Sequence, residues 1–121
     1  MVHARLLLIG CVLVAAFPVS AGDPVSLKLT PSMAAAPAFL MVRTSIESDK
    51  DNRLIEVVVQ SAEFYTSSTM ALNGSSAPRS ANFNFSNLPT GTYEVTATLV
   101  GSKGRRGGAA AWFRSVSSPG R

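Results

Sequence analysis

Four oxygen-bearing side chains crowd one short stretch of this chain, Glu47, Asp49, Asp51 and Asn52, and oxygen ligands gathered in one loop are what a hard cation such as calcium takes. The spacing argues against that chemistry. Lys50 sits among the four, Arg53 falls where a calcium loop needs a further oxygen, and no glutamate closes the run. A solvated polar turn is the plainer reading, and neither a metal nor a cofactor is expected.

A second group is cationic. Lys103, Arg105 and Arg106 gather positive charge in a segment that reads as a hairpin tip, where it could attract an anionic polysaccharide, a lipid head group or an acidic protein. The alternative is that they keep an exposed hairpin soluble. Trp112 and Tyr65 are the aromatic candidates, because an exposed ring stacks on a sugar or anchors an interface. For each, partial burial in the core is the competing expectation.

Catalysis finds little to work with. The chain has one histidine, His3, and one cysteine, Cys11, and both fall in an N-terminal segment that reads as a leader. There Arg5 precedes an apolar run from Leu6 to Phe17, Pro18 breaks it, and Val19-Ser20-Ala21 places small residues before Gly22, the pattern of a secretory signal peptide. Leu8-Ile9-Gly10-Cys11 also matches a lipoprotein cleavage box, but too few apolar residues precede it and too many follow. The run is too short to span a bilayer, which takes roughly 20 residues.

Cleavage after Ala21 leaves 100 of the 121 residues, one domain's worth. It also removes the imidazole that a nucleophilic triad needs, the ligands of the usual zinc sites and any disulfide. Among carboxylates, Glu56, Glu63 and Glu94 lie in alternating segments with their side chains directed outward, and no long loop shapes a cleft for an acid pair. The reading is therefore non-enzymatic. The formal charge of +4 is carried by scattered residues, which is no nucleic-acid footprint.

The elements that must position these residues alternate with period two. Val25, Leu27 and Leu29 form the inward set of a first strand, and Pro31 to Pro37 reads as a small-residue connection. Leu40, Val42, Thr44 and Ile46 are the inward set of the next strand; Ile55, Val57 and Val59 follow with β-branched character. A weaker strand ends at Leu72 and is closed by Asn73-Gly74, a pair suited to positive φ. Ala81, Phe83 and Phe85 then share a face, as do Tyr93, Val95, Ala97 and Leu99. Ser102 to Arg105 turns the chain into a last strand with Ala109, Ala111 and Phe113 inward, a register against which the bulky Trp112 competes. Seven short strands without helical periodicity read as an all-β, seven-stranded antiparallel sandwich.

Leu88-Pro-Thr-Gly91-Thr-Tyr93-Glu-Val95 resembles the tyrosine corner of immunoglobulin-like domains. The resemblance implies that the Tyr93 hydroxyl bonds backbone at the preceding corner, that Leu88 packs beneath the turn, that Gly91 supplies permissive dihedrals and that Val95 takes the place of a disulfide cysteine. The wider pattern over residues 38 to 116 resembles secreted bacterial immunoglobulin-like or fibronectin type III-like sandwiches of envelope proteins. It is similar, less closely, to prealbumin-like and carboxypeptidase-regulatory sandwiches. Such folds host unrelated activities.

The expected organisation is a signal peptide over 1–21, a first strand and linker over 22–37, the remainder of one immunoglobulin-like sandwich over 38–117, and a flexible tail over 118–121. The expected function is a secreted or periplasmic binding domain for a protein or envelope component. The alternative is a small carbohydrate-binding module. Exposure of Trp112 separates the two, since a buried indole offers a sugar no platform.

Overall fold

The computed structural model describes residues 23–117. The expected signal peptide, with His3 and Cys11, and the expected tail lie outside the described residues. The rest is all-β, in eight strands: β1 (Val25–Thr30), β2 (Met33–Ala35), β3 (Ala38–Ile46), β4 (Asn52–Gln60), β5 (Tyr65–Ala71), β6 (Ser80–Leu88), β7 (Gly91–Gly101) and β8 (Gly104–Val116). Among these residues no helix is long and apolar enough to cross a membrane.

Two sheets face each other, one ordered β1-β3-β6 and the other β2-β8-β7-β4-β5. This is the strand arrangement of an immunoglobulin-like sandwich in which β5 pairs with β4 instead of joining the smaller sheet. The expectation of seven strands, all antiparallel, is corrected here. Met33–Ala35, read as connection, forms β2 and runs parallel to the end of β8, with Met33 opposite Arg114 and Ala35 opposite Val116. Between Pro31 and Pro37 the chain crosses from one sheet to the other, and Arg114 N–H donates to the Ser32 carbonyl at 3.1 Å while Ala36 N–H donates to that of Val116 at 2.8 Å. Those partners lie some eighty residues away in sequence, and alanine has little strand preference of its own, so periodicity could not show the strand.

The inward sets read from alternation make the core. Leu40, Val42, Ile55, Val57, Val59, Val95 and Leu99 are fully buried, as are Leu88, Tyr93 and Phe113. Each such side chain contributes about 1.5–3 kcal/mol on burial. The described residues contain no cysteine, so no disulfide among them joins the two sheets. Leu27 and Leu29 pack against the core from its rim, and Ala109 and Ala111 are half-buried. Buried polar side chains are paired: the Thr44 hydroxyl donates to the Ala81 carbonyl at 3.0 Å and that of Ser115 to the Leu88 carbonyl at 3.1 Å.

The corner is built as the resemblance implied, with one exception. The Tyr93 hydroxyl donates to the Pro89 carbonyl at 2.6 Å, and its ring meets Phe64 edge-on and Phe113 at a tilt, with centroids 6.1 Å apart in both cases. Leu88 lies beneath the turn and Val95 fills the cysteine's place, both fully buried. Gly91, however, does not adopt a positive φ; at this corner that conformation falls on Asn87, at φ 60°. Asparagine tolerates it because its short polar side chain fits the left-handed region. Elsewhere Gly74 takes φ 58° and Gly104 φ 112°, closing β5 and the β7–β8 hairpin as expected.

Candidate functional site

The outer face of the larger sheet collects both aromatic candidates, Tyr65 and Trp112, with Arg105, Glu56 and Glu94. Register decides this. Tyr65 stands opposite Gln60, Gln60 opposite Glu94, and Glu94 opposite Trp112, so one row runs straight across β5, β4, β7 and β8. Residues directly opposite in an antiparallel pair point to the same face, and Val59, Val95, Ala111 and Phe113, their neighbours in sequence, point to the other. With strands about 4.8 Å apart, the attachment points of the two rings are roughly 14 Å from each other.

Both rings are open to solvent, Trp112 at 63% exposure and Tyr65 at 61%. Their expected partial burial is thus corrected. Phe113 is 1% exposed, and two successive strand residues cannot both face the core, so Trp112 must turn outward. Tyr65 opens the edge strand β5 on the same outward parity as Gln60. Beside Trp112 a shallow depression of about 370 Å³ is lined by Gln60, Ser61, Ala62, Thr92, Glu94 and Trp112.

The cationic tip divides. Lys103 is exposed in the two-residue turn that joins β7 to β8. Arg106 is occupied: its Nη1 donates to Asn52 Oδ1 at 2.6 Å and its Nη2 to Asp49 Oδ2 at 3.1 Å. It clamps the β3–β4 turn to the hairpin, and Gly101 lets the two meet, since a Cβ there would stand 2.8 Å from the Asp51 carbonyl oxygen. Arg105 takes a third course. A register shift between Leu99 and Val100 places Arg105 opposite Val100 on the outer face, and its guanidinium lies over Gly108, in the space a Cβ would fill.

The acidic turn spends its oxygens internally. Asp49 Oδ1 accepts from Asp51 N–H at 2.8 Å, and Asp51 Oδ1 accepts from the Ser102 hydroxyl at 2.7 Å and the Ser102 N–H at 3.2 Å. Those two bonds from Ser102, with Arg53 and Arg106 nearby, hold the Asp51 carboxyl below its ordinary value. Among the described residues no group of three or more His, Cys, Asp or Glu gathers as a metal site would require.

Of the carboxylates weighed for hydrolysis, Glu56 and Glu94 share the outer face. Glu56 stands opposite Thr98, four positions along β7 from Glu94, so their attachment points are on the order of 14 Å apart. A glycosidase pair spans about 5 to 9.5 Å. What the face offers is a flat surface with aromatic ends and hydroxyl, amide and carboxylate groups between. Gln60, Glu94, Thr96 and Thr98 belong to it, and sequence reasoning missed them as site members: their outward parity was legible, but the row exists only through pairing between distant strands.

No protein-family model and no curated protein matches this sequence. Several solved structures match its fold. A superoxide reductase (neelaredoxin) from Ignicoccus hospitalis is similar at 14% identity over 78% of this chain and 80% of its own, with a TM-score of 0.53. A family 76 glycoside hydrolase from a bovine Bacteroides thetaiotaomicron strain is 22% identical over 78% of this chain but only 20% of its own, with a TM-score of 0.55. Red sea bream transglutaminase matches 84% of this chain with 16% of its own, at 16% identity and a TM-score of 0.57. At such identities these proteins share with the chain a β-sandwich architecture and nothing more specific.

Proposed function

We propose that this chain is an exported, non-enzymatic binding module whose recognition surface is the outer face of the larger sheet, and that it binds carbohydrate. The observation that carries the reading is the row itself. Two exposed rings, Trp112 and Tyr65, stand at its ends with Gln60 and Glu94 between them. A sugar ring presents an apolar face, which stacks on an aromatic, and a rim of hydroxyls, which amide and carboxylate groups take as hydrogen-bond partners. The leader-like segment over 1–21 supports export.

The surface is shallow, so the affinity for one short oligosaccharide is modest, on the order of 0.1–1 mM, or about −4 to −5.5 kcal/mol. Affinity electrophoresis in gels containing cell-wall and plant polysaccharides tests it. The expected result is retardation in at least one polymer. Trp112→Ala abolishes that retardation and Tyr65→Ala weakens it, with the circular dichroism of both variants unchanged. Retardation in none, or retardation indifferent to both substitutions, contradicts the reading.

A second reading, a protein partner that adds a strand to an open sheet edge, is favoured by β5. Tyr65–Ala71 carries no charge and no proline, and its pairing with β4 runs without a bulge, so three of the devices that blunt an edge are missing from it. A partner held this way is lost on Ser67→Lys and indifferent to Trp112→Ala, the reverse of the pattern expected for glycan.

A further inference from the structure

We infer that the glycan recognised is acidic, and that Arg105 forms the subsite for a sugar-ring carboxylate. The inference rests on the carbohydrate reading above and names its ligand class. Beside the Trp112 row the outer face holds a second depression, of about 340 Å³, lined by Thr96, Thr98, Arg105, Gly108 and Ala110 among others. Thr96 stands opposite Ala110 and Thr98 opposite Gly108, so this depression follows β7 and β8 and ends one outward-facing pair short of Glu94 and Trp112. Gly108 and Trp112 are four positions apart along the strand, roughly 14 Å, the length of a short oligosaccharide laid along the strands.

The end of the groove is shaped around a cation. Side chains are missing at Gly108 and short at Ala110, and the Arg105 guanidinium occupies the space thus left, close to the position of a Gly108 Cβ. Among the described residues the ion pairs are Arg53 with Asp51 and Arg106 with Asp49, so Arg105 has no carboxylate partner of its own. Its planar fork suits bidentate contact with a carboxylate, while the Thr96 and Thr98 hydroxyls lie where ring hydroxyls would pass. Glu56, opposite Thr98, and Glu94 also face this surface, and they favour one oriented carboxylate at Arg105 over diffuse anion attraction.

Binding of uronate polymers and their esterified counterparts tests this. Polygalacturonate is compared with its fully methyl-esterified form, and alginate and hyaluronate with theirs, for the wild type and for Arg105→Gln, Lys103→Gln and Trp112→Ala. The two glutamine variants remove the same charge from the same hairpin, one on the face and one at the tip. The expected result is that at least one acidic polymer binds about tenfold or more tighter than its ester, that Arg105→Gln erases this preference, and that Lys103→Gln keeps it. Equal binding of acid and ester, or equal loss in the two glutamine variants, overturns the carboxylate subsite. If Trp112→Ala still abolishes binding in that case, the carbohydrate reading stands without it. Binding of no polymer, in these gels and in neutral glycan gels alike, overturns both.

Discussion

The Tyr93 hydroxyl donates to the carbonyl of Pro89 across the corner that opens β7, at 2.6 Å. The ring below it is fully buried, so the bond ties the corner to the centre of the core. Tyr93→Phe keeps the packing and removes the bond. The expected cost is about 1–2 kcal/mol, measured as a lower midpoint in urea unfolding with an unchanged slope.

Arg106 and Lys103 are three residues apart and predict opposite outcomes. Arg106 bridges Asn52 and Asp49, whereas Lys103 is exposed in the turn. Arg106→Gln is expected to destabilise the fold by about 1–3 kcal/mol and Lys103→Gln by less than about 0.5 kcal/mol. Thermal unfolding of the two variants side by side checks the contrast.

The approach of the β3–β4 turn to the hairpin predicts a further effect. A Cβ on Gly101 would stand 2.7 Å from Arg106 Cδ and 2.8 Å from the Asp51 carbonyl oxygen, and the second of these is backbone that cannot swing aside. Gly101→Ala is expected to cost about 1–3 kcal/mol through this overlap. By contrast Gly91→Ala would place its Cβ at ordinary contact, 3.6 Å from Ser61 and 3.7 Å from the Tyr93 ring, and is expected to be nearly neutral. Urea midpoints of the two variants decide it.

Two groups give stability a pH dependence of opposite sign. Burial raises the Tyr93 phenol above its ordinary value of 10.0, against a lesser effect of the Ser61 hydroxyl. Its contribution is therefore complete below that value and lost as pH rises through the elevated folded one. Asp51 is shifted down from 3.8 by the two Ser102 bonds foremost, so its contribution is present above that value and lost as pH falls through the depressed folded one. Urea midpoints are expected to hold between about pH 5 and 9 and to drop on either side. Tyr93→Phe flattens the alkaline limb and Ser102→Ala softens the acid one, modestly because Asp51 is exposed.

Strand faces were legible in the sequence wherever apolar and polar residues alternate cleanly. Leu40-Val42-Thr44-Ile46 and Tyr93-Val95-Ala97-Leu99 all proved inward, and the corner was legible because one tyrosine and its flanking turn residues have few other uses. Pairing was not legible, for a physical reason: period two says which face a residue takes but not which strand lies beside it. That is why Met33–Ala35 was missed as a strand and why Gln60 and Glu94 were not joined to Tyr65 and Trp112. The same limit governed the cations. A bulge beside Leu99 sends Arg105 to the outer face and Arg106 to the β3–β4 turn, and no alternation in "GRRGG" announces it.

Trp112 is the chain's one tryptophan, so the intrinsic indole fluorescence of the whole protein reports on one aromatic end of the proposed surface. Titration with each polysaccharide that retards the protein in gels is the most direct measurement. A ring stacked by a sugar leaves water, so the expected result is a saturable blue shift whose midpoint matches the retardation and which Arg105→Gln moves to higher concentration for acidic polymers. Retardation with unchanged indole emission would place the ligand elsewhere on the molecule and rule out the Trp112 face as its site.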